Sequence, residues 1–195
     1  MLEHVRMKAG ELEHRKKRRA INEPEHAHFL TFSCWKRWPL LSKDRSREWV
    51  IEAMAQLRES QNVAIWAYVI MPEHVHLLVL PRQRNYEMRR ILAALKAPVS
   101  RAARRFLQQM NNQHWLRRLT TTHGKRETFR FWQPGGGYDG NVWNERTIQQ
   151  VIDYIHANPV RRGLVTRPTD WKWSSAQAHA GDVDVPLQLD PVDLS

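Results

Sequence analysis

Two apolar runs, residues 63–70 and 74–80, are joined by only Met71-Pro72-Glu73, and no other stretch constrains the fold so tightly. Runs rich in Val, Ile and Leu read as strands, and a short link containing Pro, which has no amide to give a ladder, predicts a β-hairpin. Side chains alternate across a strand, so His74 and His76, separated by Val75, point the same way and could grip one metal ion.

The flanking patterns add helices and a further strand. Phe29, Leu30, Thr31 and Phe32 predict an earlier strand within 28–35. Trp49, Val50, Ala53, Met54 and Leu57 fall on one helical face within 43–59. A helical region over 86–109 contains Pro98, which lacks the amide an interior position needs, so a kink or two helices is expected there. Residues 111–128 are polar and patternless and read as an exposed excursion, with 129–132 as a final short strand. Gly135-Gly136-Gly137 makes the backbone pliable before a turn at Tyr138-Asp139-Gly140.

The last helix has a readable start, with Asn144 as cap, Glu145 at the positive end of the dipole, and Trp143 with Ile148 placed as a hydrophobic staple. It is expected to end near Asn158, since the residue before Pro is pushed out of the helical region. Ile148, Val151, Ile152 and Ile155 form its buried stripe. At roughly 100° per residue, Tyr154 and Asn158 share one flank of that stripe, while His156 lies roughly 160° around from Tyr154.

Composition narrows the partners. The chain has 195 residues, enough for one domain, and 31 Lys and Arg against 20 Asp and Glu, a net charge of +11. Such an excess points to polyanions, without separating DNA from RNA or ribosome. The single cysteine, Cys34, can form neither an internal disulfide nor a Cys-type zinc site, which fits a reducing compartment. Neither a signal peptide nor a membrane-length apolar run is legible, so a cytoplasmic, nucleoid-associated location is expected and a membrane partner is not. The organisation reads as a basic arm over 1–25, with Arg15-Lys16-Lys17-Arg18-Arg19 as its core, one domain over 26–180, and an acidic tail over 181–195.

Taken in order, the segments Tyr68-Val69-Ile70-Met71-Pro72-Glu73-His74-Val75-His76, Phe131-Trp132-Gln133-Pro134, Asp153-Tyr154-Ile155-His156-Ala157-Asn158-Pro159 and Asp170-Trp171-Lys172-Trp173-Ser174-Ser175 give the chain a family likeness. It resembles the REP-associated tyrosine transposases, a branch of the single-tyrosine HUH endonucleases related to insertion-sequence transposases. The resemblance implies an α+β, ferredoxin-like (RRM-like) HUH core: a central antiparallel sheet with helices packed on one face, the histidines on a middle strand and the tyrosine on a helix beside them. It also implies a single-stranded DNA substrate, commonly hairpins of repetitive extragenic palindromes, and a monomer.

Within that frame Tyr154 is the catalytic nucleophile, attacking a phosphodiester to leave a 5′-phosphotyrosine and a free 3′-hydroxyl. A phenol ionises near pH 10, about three units above neutrality, so a metal, an arginine or a water must assist. His74, His76 and the amide oxygen of Asn158 would hold Mg2+ or Mn2+, whose charge offsets that of the phosphate oxygens. Tyr138, on its glycine turn, is the rival nucleophile, and Glu73 either orders a water or shapes the turn. Lys96, Arg101, Arg104, Arg105, Arg130, Arg161 and Arg162 are candidate phosphate contacts. Trp132 is a candidate DNA-stacking residue, as are Trp171 and Trp173, with core packing as the competing use.

The acidic tail, with Asp182, Asp184, Asp190 and Asp193, reads first as a solvated tail, and alternatively as a segment that folds back on the DNA groove as a competing anion. The alternative function is a nucleic-acid-binding regulator on the same fold that does not cut. A zinc phosphohydrolase is disfavoured because the carboxylates of such a site are missing.

Overall fold

The computed structural model describes residues 22–192, and its centre is the expected hairpin. The elements run β1 (Ala27–Ser33), α1 (Asp44–Ser60), β2 (Val63–Ile70), β3 (His74–Pro81) and α2 (Met88–Gln109). Then follow α3 (Gln113–Leu119), β4 (Thr120–His123), β5 (Arg126–Phe129), β6 (Tyr138–Val142), α4 (Glu145–Arg161) and α5 (Ala176–His179). The main sheet has the order β2-β3-β1-β6, antiparallel throughout. This is a β-α-β-β-α-β ferredoxin-like core with α3, β4 and β5 inserted before the last strand.

Alternation sorts the core into two layers. Leu30, Phe32, Ile65, Tyr68, Val75, Leu77 and Val79 face α1 and α2, which together cover one side of the sheet. Ala27, Ala64, Trp66, Val69 and Leu78 face the other way and are covered by Ile148, Ile152 and Ile155 of α4. A register slip between Ile65 and Ala67 puts Trp66 and Ala67 on the same side, as a bulge does. The two helices of the ferredoxin-like unit thus share one face, and α4 adds a layer on the opposite one. Burying each of its three isoleucines is worth about 1.5–3 kcal/mol.

Several sequence expectations are corrected. The final strand of the sheet is β6 and not 129–132, and it lies where a turn was expected. Gly137 makes this possible: its φ is +80°, and a Cβ there would stand 2.1 Å from the Thr31 carbonyl oxygen. The 111–128 excursion is structured, as α3 capped by the Asn112 side chain on the Trp115 amide and as the β4–β5 hairpin. Helix α2 continues through Pro98. Asn144 does cap α4 through the Thr147 amide. Trp143, however, is 63% exposed, stacks on His26 and stays outside the cluster that buries Ile148, so it is no staple. Helix α4 also runs past Asn158 and through Pro159. Its stop is Gly163, left-handed at φ +66°, with the Gly163 and Leu164 amides bonded to the Val160 and Pro159 carbonyls.

The packed unit extends beyond 26–180 at both ends. The Glu23 carbonyl accepts from the Tyr86 hydroxyl, while residues 1–21 of the basic arm, its Arg15–Arg19 block included, lie outside the described residues. The tail folds back, but onto the β2 edge and not onto a DNA groove, and Leu187 is buried in the core. Asp190 binds the Ile65 amide with its carboxylate and the Ile65 carbonyl with its own amide, and pairs with Arg58 and Arg82. Trp173, Ser175 and His179 engage the backbone of Ile70, Tyr68 and Trp66. The C-terminal segment therefore blocks an edge that could otherwise pair with another chain. Asp193 lies outside the described residues.

Candidate active site

The site forms where the polar side of β3 meets α4. His74 and His76 are 6% and 3% exposed, and their Nε2 atoms face each other 3.0 Å apart. Each remaining ring nitrogen has its own partner. His74 Nδ1 donates to Glu73 Oε1 at 3.2 Å, and His76 Nδ1 lies 2.7 Å from Thr31 Oγ1. A carboxylate only accepts, so His74 presents a proton to it on Nδ1, and its Nε2 faces His76. A hydroxyl donates or accepts, so Thr31 tolerates either tautomer of His76.

Charge around the pair is fixed by these contacts. The His74 ring and the Arg162 guanidinium, 2.7 Å from Glu73 Oε1, hold the Glu73 carboxyl down at about 2 against the opposing effect of burial. Burial first, and the neighbouring His74 second, push His76 down to about 3, so its imidazole is neutral. A neutral imidazole with an oriented second nitrogen is what a metal site requires.

Helix α4 supplies the other half. The Tyr154 ring is half-buried, edge-on to His76 at 5.5 Å and to Phe29 at 5.8 Å, with the Arg161 guanidinium 5.4 Å from its centre. One turn on, Asn158 donates its Nδ2 to the Tyr154 carbonyl at 2.7 Å, and its side chain also hydrogen-bonds His76. Among the described residues no group of three or more His, Cys, Asp or Glu could hold a metal. The residues that could hold a metal are two imidazoles and an amide, a mixed nitrogen and oxygen set of the kind that suits Mg2+ or Mn2+. His156 points elsewhere, to Ser175 Oγ at 2.8 Å.

Other expected residues are dispersed. Lys96, Arg101, Arg104 and Arg105 are on α2, across the sheet from the histidines. Lys96 is spent on the carbonyls of Gly135 and Gln133, whereas Arg101, Arg104 and Arg105 are exposed. Arg130 reaches Thr121 Oγ1. Trp132 is 6% exposed, edge-on to Phe32 and Phe131, and its Nε1 donates to the Lys96 carbonyl, so its ring is closed to bases. Trp173 is likewise buried and bonded to Asp44, and Trp171 donates to the Ile70 carbonyl. Tyr138, 41% exposed, touches Phe29 at the outer rim of the site. Thr31 and Phe29 were missed by sequence reasoning, because only the β1–β3 register, which sets Thr31 opposite His76, brings them in.

A family model described as "Transposase IS200 like" matches residues 24–158. A protein of Haemophilus influenzae (strain ATCC 51907 / DSM 11121 / KW20 / Rd), whose name places it among the REP-associated tyrosine transposases, is 26% identical over 145 residues, 70% of this chain and 76% of that one. A solved REP-associated tyrosine transposase bound to a REP hairpin is similar over 93% of each chain, with a TM-score of 0.63 and 19% identity, which speaks for the fold.

Proposed function

Because the chain belongs to the IS200-like transposase family, we propose that it cleaves and rejoins single-stranded DNA at hairpins through a transient bond to Tyr154. The observation that carries this reading is the convergence, within one chain, of two facing imidazole nitrogens, a tyrosine ring packed on the His76 imidazole, and an amide that hydrogen-bonds His76 and the Tyr154 carbonyl.

In the first step the Tyr154 oxygen bonds to phosphorus as its proton leaves to solvent. The bond from phosphorus to the 3′-oxygen breaks, and that oxygen takes up a proton. The 5′ end stays on the protein. Rejoining runs the step backwards, with an incoming 3′-hydroxyl displacing the tyrosine. Mg2+ or Mn2+, held by His74, His76 and Asn158, would supply positive charge to the phosphate oxygens. Glu73 and Thr31 orient the imidazoles, Asn158 ties the helix to the strand, and Arg161 sets a cation over the ring that delivers the nucleophile. Arg162 is occupied in holding Glu73, whereas Arg101, Arg104 and Arg105 are candidates only for DNA that wraps to the far side of the sheet.

The proposed substrate, hairpins of repetitive extragenic palindromes, is supported by the solved relative bound to a REP hairpin. That work belongs with the nucleoid in the cytoplasm; among the described residues no helix is long and apolar enough to cross a membrane. Tyr154 and the histidines meet in one chain, which supports action as a monomer. The test is scission of an end-labelled hairpin oligonucleotide in Mg2+ or Mn2+, with and without EDTA. Metal-dependent nicking supports the reading, and mixing Tyr154→Phe with His76→Ala should restore nothing if each site is built in cis. Binding without scission across many hairpins would favour a regulator that does not cut.

A further inference from the structure

The geometry points to a binding track for unpaired nucleotides on the turn that follows β1, where it packs against α3; this rests on the single-strand reading above. Lys36 and Arg37 are consecutive residues with φ of +54° and +53°. That region is costly for residues with a Cβ, and neither is the Gly or Asn that visits it readily. The turn is held there by the Lys36 amide on Gln133 Oε1 at 3.1 Å, the Arg37 amide on the Cys34 carbonyl at 3.0 Å and the Trp38 amide on the Trp35 carbonyl at 3.0 Å. Maintained backbone strain of this kind concentrates at functional sites, and here it displays two exposed cations side by side.

Rings lie beside those cations. Trp38 and Trp115 of α3 are half-buried and meet edge to face at 5.7 Å. Arg118 lies 4.6 Å from the first ring and 5.3 Å from the second, and Lys36 Nζ is 5.5 Å from Trp38. Indoles interleaved with cations suit unpaired DNA, whose bases stack while its phosphates follow the charge. A duplex stem presents no free base faces. The track also adjoins the site: Ser33, the last residue of β1, is opposite His74, and the next amide, that of Cys34, bonds the Glu73 carbonyl at 2.8 Å.

The test measures full-chain affinity, in EDTA so that chemistry is silent, for a fluorescein-labelled hairpin with oligothymidylate tails and for the same hairpin with blunt ends. Wild type should hold the tailed form about tenfold more tightly or better. Trp115→Ala with Arg118→Gln should lose that advantage and keep the blunt-end affinity, while Trp115→Phe, which retains a ring, should keep most of it. Equal affinity of wild type for the two hairpins, or an advantage that survives in the double variant, overturns the track and leaves the nuclease reading standing. Failure of wild type to bind either hairpin overturns both. If the double variant also loses the blunt hairpin, Trp115→Phe decides: with an unchanged melting curve, a retained tail preference supports the track, and loss of that preference overturns it.

Discussion

The two sides of β3 are buried almost equally and are held in opposite ways. Val75, Leu77 and Val79 are fully buried against α1 and α2, with no polar atom to satisfy. His74 and His76 are buried nearly as deeply on the other side, and their ring nitrogens are met by Glu73, Thr31 and each other. Burial of a polar group costs free energy unless it is bonded. The apolar side therefore depends on filled volume, whereas the histidine side depends on the bonds that satisfy its ring nitrogens.

The largest expected effect exploits that contrast. His76→Ala should lower strand scission by roughly a hundredfold or more, since a Lewis acid supplies several kcal/mol, with little change in the unfolding curve. Its neighbour Leu77→Ala should instead cost about 2–5 kcal/mol in denaturant unfolding while the folded fraction still cuts. Interchanged outcomes would break the comparison. Thr31→Val removes the partner of His76 Nδ1 and leaves the volume, so a drop of about 10–100-fold in metal affinity or activity is expected. A Mn2+ titration of the variant measures it.

The next effect concerns the sheet edge. Asp190→Ala removes the carboxylate that holds Arg58, Arg82 and the Ile65 amide, and hydrogen bonds to a charged group of this kind are worth about 1.5–3 kcal/mol. Urea unfolding should show a loss of that order, and a tail that only hovered near DNA would show none. The smallest effect is on pH dependence. Burial, with His179 second, lowers the pKa of His156 from 6.5 to about 4. The unfolded chain then binds more protons than the folded one between those values. The contribution is complete above 6.5 and is lost as pH falls towards 4. Tm should drop between about pH 7 and about pH 5, and drop less in His156→Gln.

What was legible follows from the same physics. The β2–β3 hairpin and the flank shared by Tyr154 and Asn158 are local patterns, set by alternation and by the helical turn. Strand β6 was not legible, because Tyr138-Asp139-Gly140-Asn141-Val142 has no strand signature of its own. It is drawn into the sheet by pairing with β1 and by the contact of His28 Nδ1 with Asp139 at 2.7 Å. The role of the C-terminal segment was hidden for the same reason, since Asp190 acts on Ile65 across the fold. Trp132 shows the limit from the other direction: an aromatic residue near Arg and Lys reads as a stacking platform until its burial against Phe32 is seen. The end of α4 was misread because Pro159 drew attention from Gly163, whose left-handed conformation is the actual stop.

The identity of the tyrosine that receives the DNA decides the mechanism. The full chain, incubated with Mn2+ and single-stranded hairpins from the flanks of its own gene, should give a covalent protein–DNA band on a denaturing gel. Peptide mass mapping should place the adduct on Tyr154, the band should vanish in Tyr154→Phe, and it should persist in Tyr138→Phe. An adduct on Tyr138, a band that survives Tyr154→Phe, or firm DNA binding that never yields a band would contradict the assignment.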